Sequence, residues 1–302
     1  MRPRFPSCDV LVAAVCLTFA VMSLAAAPAR FDPQRAYRDL VTQCEFGPRV
    51  PGTPAHAECA RWLTQTLYDC ADAVSVQPFT STVGGKALPL SNIVATFNPA
   101  GTGHVLLAAH WDTRPTADRD PDPANRSRPI LGANDGASGV AVLLEIARAL
   151  NAHPPRPRVT IVLFDGEDYG PGVEDMFLGS KHFARTFAGP KVQWAVLLDM
   201  VGDRDLKIRP ERFSVRRAPA VVDRIWTAAE KIGATAFVRE PGPTVLDDHV
   251  FLLDRGIPCI DVIDFDYPHW HTLADTPDKC APDSLAQVGA TLLTALEDTS
   301  SG

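Results

Sequence analysis

The sequence has no cysteines in paired CxxC spacing, although it contains 7 cysteines in 302 residues. That absence excludes a zinc site built from cysteine pairs, which needs such spacing. The chain also has no excess of basic residues, since its formal net charge is −7 and its isoelectric point about 5.6. This balance argues against a nucleic acid as the main partner, because nucleic acids are polyanions. The hydrophobic content of 46% is ordinary for a globular protein with a sizeable core.

The first 29 residues have the pattern of an export signal. Arg2 and Arg4 give a basic start, residues 10–26 form an apolar run, and small residues precede Ala29. We expect residues 1–29 to be a secretory signal peptide, so that the mature protein is secreted or periplasmic. The alternative is an uncleaved membrane anchor, because the apolar run is nearly long enough to span a bilayer. Contact with a membrane is expected only in that case.

The cysteines beyond the signal region do not define a disulfide pattern. They are Cys44, Cys59, Cys70, Cys259 and Cys280. Five is an odd number, so at least one thiol is free or pairs between chains. Cys59 and Cys70 are predicted on one helix, too far apart along it to pair with each other.

Apolar runs alternate with helical patterns along the rest of the chain. The predicted strands are 74–79, 91–97, 104–109, 158–164, 192–200 and 257–265. The predicted helices are 54–70, 137–151, 176–187, 219–232, 247–255 and 282–297, and a long polar loop covers 111–131. Strands that are apolar on both faces and alternate with helices indicate a mostly parallel, covered sheet. We therefore expect an α/β fold, a three-layer sandwich around a mixed, mostly parallel central sheet, with residues 30–302 as a single catalytic domain.

Acids and imidazoles follow the predicted strands or precede a predicted helix. They are His110, Asp112, Asp135, Glu167, Asp168, Asp199 and His271. In open α/β sheets, ligands bind just beyond the carboxyl ends of the strands. We expect these side chains to meet there. Repeated acids at one edge of a sheet cost free energy unless a cation lies among them.

The residue types at these positions favour zinc. Histidine and carboxylate ligands without cysteine suit a catalytic zinc site that keeps one position for water or substrate. Glu167, next to a candidate ligand, is placed to move protons. A single aspartate after a strand is more often a helix cap or turn residue, and Asp135 and Asp165 each fit that alternative when taken alone. The positions taken together favour a metal site.

Several segments, in order, resemble the zinc-dependent glutaminyl cyclases, particularly the bacterial ones. The matching segments are FGPRVPGTPAH (46–56), AAHWDTRP (108–115), DPDPANRSRPILGANDGASGV (120–140), LFDGEDYG (163–170), LLDMVG (197–202), LDDHVFLLDRGIP (246–258) and DFDYPHWHTLADTPDKC (264–280). These enzymes share their fold with the zinc aminopeptidases of the transferrin-receptor-like family. The resemblance covers nearly the whole chain after the signal region, which makes it more specific than any one motif.

The resemblance implies a metal centre with defined ligands. One catalytic zinc would be held by Asp135, Asp168 and His271, with Glu167 as the general acid and base. The peptide bond between Asp135 and Gly136 would be cis, as is common in this fold.

The resemblance also implies the substrate and its contacts. The substrates would be peptides or proteins with an N-terminal glutamine, which is cyclised to pyroglutamate with release of ammonia. Asp199 and Asp247 would hold substrate and intermediate through hydrogen bonds. Trp270, together with Tyr267, would form the apolar wall around the glutamine stem.

The ligand positions alone do not distinguish a glutaminyl cyclase from an aminopeptidase. The peptidase relatives bind two zinc ions at the same positions, with His110 and Asp199 added and Asp135 bridging. A third class, binding ectodomains that have lost their ligands, is disfavoured because every ligand position and Glu167 are present. An aminopeptidase that hydrolyses N-terminal residues from peptides therefore remains the alternative.

Three local features favour the cyclase. Asp247 stands where the peptidases usually have a small residue such as serine, Trp270 directly precedes His271, and the acidic pair is Glu-Asp rather than Glu-Glu. One feature departs from the cyclase pattern. The cyclases often have a tryptophan a few residues after the acidic pair, whereas Phe177 is the nearest aromatic side chain in that region here.

Overall fold

One mixed sheet organises the protein. The computed structural model describes Met1 and residues 31–297, so the predicted signal peptide lies outside the described residues apart from Met1. Six strands in the described chain form the sheet in the order β1-β2-β4-β3-β5-β6. They are β1 (Ala73–Val83), β2 (Lys86–Phe97), β3 (His104–His110), β4 (Arg158–Phe164), β5 (Trp194–Asp199) and β6 (Cys259–Ile263).

Parallel pairing prevails in the part of the sheet that carries the candidate residues. β3 pairs in parallel with both β4 and β5, and β5 pairs in parallel with β6. β2 is antiparallel to both β1 and β4. The carboxyl ends of β3, β4, β5 and β6 therefore meet at one edge, which confirms the predicted α/β fold with a mixed, mostly parallel sheet.

Helices cover the sheet. They are α1 (Pro33–Glu45), α2 (Pro54–Tyr68), α3 (Ala137–Ala152), α4 (Leu178–Thr186), α5 (Arg212–Arg217), α6 (Pro219–Ile232), α7 (Asp248–Asp254) and α8 (Pro282–Glu297). α3 packs on the central strands and on α1 and α8, while α4 and α7 pack on each other and on the sheet. None of the helices between residues 31 and 297 combines the length and the apolar character needed to cross a bilayer. The sequence prediction omits α1 and α5.

The buried helix α3 begins at the edge where the candidate residues meet. All of its residues from Ala137 to Ala147 are buried, as expected for a helix enclosed on every side. Gly136 precedes it, and a Cβ atom at that position would collide with the ring of His110 at the end of β3. Glycine thus lets the helix start, with Asp135 just before it, approach the sheet closely.

β1 and β2 are longer than the predicted strands 74–79 and 91–97, and they form a hairpin. Its strands are joined by Gly84 and Gly85, both with positive φ, which suits a two-residue hairpin turn. The predicted strand ended at residue 79, whereas β1 runs through Pro78 and beyond. β1 is an edge strand, where a missing N–H donor is tolerated, so it continues to Val83.

The cysteines of residues 31–297 are all free and buried. Burial raises the pKa of Cys44 to about 11 and that of Cys59 to about 12. Such thiols are chemically inert near neutral pH because the reactive thiolate is scarce.

Candidate active site

The strand ends bring most of the predicted residues to one cavity of about 250 Å³. His110 ends β3, Asp199 ends β5, and the pair Glu167 and Asp168 follows β4. Those that line the cavity are Asp135, Glu167, Asp168, Asp199, Asp247, Trp270 and His271. Residues that are far apart in the sequence thus share one concave site, where binding sites of α/β sheets occur.

Asp135, Asp168 and His271 form a group that could hold a metal ion. One ligand atom of each lies within 4.8 Å of the others. His271 Nε2 is 3.4 Å from Asp168 Oδ1 and 3.7 Å from Asp135 Oδ2. Oδ2 of both aspartates is buried and accepts no hydrogen bond within the described structure. Buried acceptors without donors are costly, and two carboxylates with one imidazole fit zinc with a coordination position to spare.

His110, Asp135 and Asp199 form a second such group. Nε2 of His110 lies 3.2 Å from Asp135 Oδ1 and 3.2 Å from Asp199 Oδ1. Asp135 therefore belongs to both groups, with one oxygen facing each. This geometry could hold a second ion, as the aminopeptidase alternative requires.

An arginine and an aspartate that sequence reasoning missed support the first group. Arg114 donates from Nη1 to Asp168 Oδ1 over 2.5 Å and from Nε to Asp118 Oδ1 over 2.7 Å. Asp118 Oδ1 lies 3.1 Å from Nδ1 of His271. Partners of this kind fix the orientation of metal ligands. Arg114 and Asp118 lie in the loop predicted as 111–131, whose composition shows no sign of this role.

The side chain of Asp112, a candidate residue close to His110, accepts hydrogen bonds from the backbone amides of Glu167 and Asp168. Its Oδ1 accepts from the amide of Glu167 over 3.0 Å, and its Oδ2 accepts from the amide of Asp168 over 3.3 Å. It also faces Nδ1 of His110 at 3.7 Å. Asp112 is thus a supporting residue at the strand ends.

Tyr267, expected at the substrate wall, lies behind the metal group. Its hydroxyl donates to Oδ1 of the buried Asp275 over 2.8 Å, and Tyr267 is not among the residues that line the cavity. Asp275 in turn accepts from the amides of Asn134 and Asp135 over 2.9 and 3.2 Å. The structure therefore places Tyr267 where it supports the segment that presents Asp135.

Glu167 is held in surroundings that favour its protonated form. Burial raises its pKa well above the usual range, and the neighbouring acids Asp168, Asp247 and Asp248 raise it further. His110, whose Nδ1 is 3.8 Å from Oε2 of Glu167, lowers the pKa of Glu167. A divalent cation nearby would lower the pKa again. A strongly perturbed acid in a cavity is a candidate for general acid and base catalysis.

Asp247 presents a free carboxylate oxygen near the same place. It caps α7, with Oδ1 accepting from the amide of Asp248 over 2.5 Å, while its buried Oδ2 accepts no hydrogen bond in the described chain. Burial and the charge of Asp199 raise its pKa to about 7. Asp247 can thus accept or donate a hydrogen bond to a bound molecule.

Aromatic side chains form one wall of the cavity. The rings of Trp270 and His271 lie 4.1 Å apart between centroids, and those of Trp270 and Phe265 lie 5.0 Å apart. Phe177, the aromatic residue in the region where the cyclases often have a tryptophan, also lines the cavity and packs on Phe251 at 5.5 Å. The wall is apolar, and the base carries the carboxylates.

Strained backbone is concentrated around the cavity. Of the four non-glycine residues with positive φ between residues 31 and 297, His271, Phe177 and Met200 line the cavity or adjoin Asp199. Such conformations cost free energy and persist where packing holds a functional side chain in place. The resemblance also implied a cis peptide between Asp135 and Gly136, and the structure confirms it.

Comparisons with known proteins agree with this geometry. The family model of peptidase family M28 matches residues 92–296. A glutaminyl-peptide cyclotransferase-like protein of Mus musculus is 26% identical over 303 aligned residues, which cover 89% of this chain and 76% of that protein.

Similar solved structures include both an exopeptidase and a glutaminyl cyclase. A Zn-dependent exopeptidase from Parabacteroides distasonis superposes with a TM-score of 0.87 at 35% identity, covering 90% of this chain and 100% of that one. The glutaminyl cyclase of Bacteroides thetaiotaomicron bound to N-acetylhistamine gives a TM-score of 0.87 at 37% identity, covering 90% and 99%. Overall similarity therefore identifies the fold and the metal-dependent class, and the choice between two reactions depends on the cavity.

Proposed function

Since this chain belongs to peptidase family M28, we propose that it uses the site as a glutaminyl-peptide cyclotransferase. It would convert the N-terminal glutamine of a peptide to pyroglutamate and release ammonia. The single observation that carries the proposal is Asp247, a buried acid at the cavity where the peptidases usually have a small residue. The cyclase names of the mouse and Bacteroides relatives support the same conclusion.

Three residues would bind the metal that the reaction needs. Asp135, Asp168 and His271 would hold a zinc ion, whose charge would polarise the γ-carboxamide oxygen and stabilise the negative charge that develops there. The buried, unpartnered oxygens of the two aspartates support this assignment.

Glu167 would move the protons. The α-amino group of the substrate, in its neutral form, would attack the carbonyl carbon of the side chain, and Glu167 would take up the proton that the attacking nitrogen loses. A carbon–nitrogen bond closes the five-membered lactam, and the bond to the amide nitrogen breaks. Glu167 would return a proton to that nitrogen, which leaves as ammonia. The raised pKa of Glu167 suits a group that both accepts and donates a proton.

The remaining residues would orient the substrate and exclude water. Asp199 and the free oxygen of Asp247 would accept hydrogen bonds from the two reacting nitrogen atoms. Trp270 and Phe177 would enclose the aliphatic stem of the glutamine. Both reacting groups belong to one residue, so holding the right rotamer supplies much of the rate. Exclusion of water favours cyclisation over hydrolysis.

An assay with two peptides tests the proposal. The purified, zinc-loaded protein is incubated with a peptide that begins with glutamine and, separately, with one that begins with leucine. We expect ammonia from the first peptide and no free amino acid from either. Released leucine would instead establish an aminopeptidase.

One observation favours that second candidate function. His110 Nε2 lies 3.2 Å from both Asp135 and Asp199, an arrangement that could hold a second zinc ion. Glu167 would then activate a water molecule held between the ions. Zinc content per chain separates the candidates, because the cyclase requires one ion and the aminopeptidase two.

A further inference from the structure

Large apolar side chains are exposed at the mouth of the active-site cavity. Between residues 31 and 297, seven large hydrophobic residues are exposed, and three of them line this one cavity. Val173 is 52% exposed, Leu246 is 43% exposed and Phe265 is 38% exposed. Exposed apolar groups that cluster at a cavity mark a binding surface, whereas scattered ones need no explanation. These three residues are called the apolar rim below.

The exposed fractions of the lining residues distinguish the base of the cavity from the apolar rim. Asp135, Asp168 and Asp247 are 3%, 1% and 3% exposed, so the carboxylates lie at the base. The rim residues are the exposed end of the same lining. A peptide whose N-terminal residue lies at the base must therefore leave past the rim.

Hydrogen bonds and ring packing hold the segments that carry the apolar rim in place. The carbonyl of Val173 accepts from Lys181 Nζ over 2.9 Å. The ring of Phe265 packs on Trp270, and the amide of Val245, next to Leu246, donates to Glu211 over 3.2 Å. A surface held in place before binding loses less conformational freedom when a ligand binds.

We propose that Val173, Leu246 and Phe265 form a subsite for an apolar side chain at the second position of the peptide substrate. The inference rests on the proposed cyclase function, which places the first residue at the base. Consecutive Cα atoms are about 3.8 Å apart, so the second residue follows directly after the one at the base on the way to the rim. An aliphatic or aromatic side chain there would cover the rim, whereas glycine would leave it in water. The preferred substrates would thus be peptides that begin with glutamine followed by an apolar residue.

The test compares peptides that differ only at the second residue. Cyclisation of Gln-Leu, Gln-Phe, Gln-Gly and Gln-Glu peptides is measured as kcat/KM. We expect the wild type to prefer the leucine and phenylalanine peptides over the glycine peptide by about 10-fold, the lower end of discrimination by one apolar contact. Inhibition by the pyroglutamyl-leucyl and pyroglutamyl-glycyl products should follow the same order.

A double variant, Leu246→Ser with Phe265→Ser, assigns the preference to the rim. The ratio of kcat/KM for the leucine and glycine peptides should fall towards one, and the ratio is independent of the fraction of active protein. Val215→Ser is the matched control, because Val215 is 45% exposed on α5 and does not line the cavity. The control should keep the wild-type ratio.

The outcomes separate this inference from the proposed function. Equal cyclisation of all four peptides, or a preference that survives in the double variant, would overturn the subsite and leave the cyclase standing. A double variant that changes only the oligomeric state in light scattering would make the rim a contact between copies and also overturn the subsite. A wild type that cyclises none of the peptides would remove both proposals.

Discussion

Arg114 donates a hydrogen bond from Nη1 to Oδ1 of Asp168 over 2.5 Å, and it also bonds Asp118, which lies 3.1 Å from His271 Nδ1. One buried guanidinium thus links two of the three proposed zinc ligands. We predict that Arg114→Gln lowers zinc affinity by about 10- to 100-fold, the usual effect of losing such a supporting contact. Competition with a chromophoric chelator measures the affinity. Arg114→Lys should recover only part of it, because lysine cannot reproduce the two-pronged contact.

A partly buried arginine away from the cavity provides the control for this prediction. Arg148 bonds Asp39 over 2.5 Å and Glu145 over 3.3 Å, and it does not line the active-site cavity. Arg148→Gln should lower the melting temperature and leave zinc affinity unchanged. Equal losses of zinc affinity in the two variants would show that Arg114 acts only through overall stability.

Replacing Glu167 should stop the chemistry and spare the metal. Glu167→Gln keeps the shape of the side chain but cannot take up a proton, so kcat should fall by about 100- to 10,000-fold. Zinc content by mass spectrometry should match the wild type. Glu174→Gln, which removes an exposed acid nearby in the sequence, should keep full activity. Normal turnover by Glu167→Gln would remove Glu167 from the proton-transfer role.

Replacing His271 should impair zinc binding itself. His271→Ala removes a nitrogen that faces both Asp135 and Asp168, so zinc affinity should fall by more than the roughly 100-fold limit for a supporting residue. His269→Ala is the matched control, because His269 lies two residues away and does not line the cavity, and it should keep the wild-type zinc affinity. Unchanged zinc affinity in His271→Ala would contradict its assignment as a ligand.

Glu211 gives the protein a defined pH dependence of stability. Its carboxylate accepts from the amides of Phe213, Ser214 and Val245 over 2.7, 2.7 and 3.2 Å, and it lies 3.2 Å from His249 Nε2. Burial alone would raise the pKa of Glu211. The hydrogen bond with His249 and those from the amides outweigh burial and lower the pKa to about 2.

The lowered pKa means that Glu211 stabilises the fold through its ionised form. That stabilisation is complete above the ordinary pKa of 4.5 and is lost as the pH falls towards about 2. Glu211→Gln should therefore be less stable than the wild type at neutral pH, with a difference that shrinks across this window. Urea unfolding of the metal-free proteins over a pH series measures it. Glu58→Gln, on the exposed face of α2, should show no such trend, and a constant difference for Glu211→Gln would refute the linkage.

The parallel strands could be predicted because they are continuous apolar runs. The run 158–164 coincides with β4, and 192–200 contains β5. Helix α1 escaped prediction because its buried face includes Asp39 and Gln43 beside Ala36 and Leu40, which interrupts the apolar period. Polar side chains that are buried through tertiary contacts leave no periodic signal.

The residues of the candidate site that lie at strand ends or helix starts could be predicted from the sequence. Asp135, Asp168 and His271 converge because the topology directs their segments to one edge of the sheet. Arg114 and Asp118 could not be identified, because their contacts depend on how an irregular loop folds. Tyr267 packs close to Trp270 of the cavity wall, but its hydroxyl donates a hydrogen bond to Asp275 and the residue does not line the cavity.

The most direct measurement asks whether oxygen from water enters the products when a glutamine-initiated peptide reacts in heavy-oxygen water. Mass spectrometry follows the products of the zinc-loaded protein. Cyclisation predicts a peptide that has lost one ammonia and has gained no heavy oxygen. A shortened peptide with heavy oxygen in the released amino acid, or a glutamate carrying the label, would show that water is the nucleophile and would contradict the account.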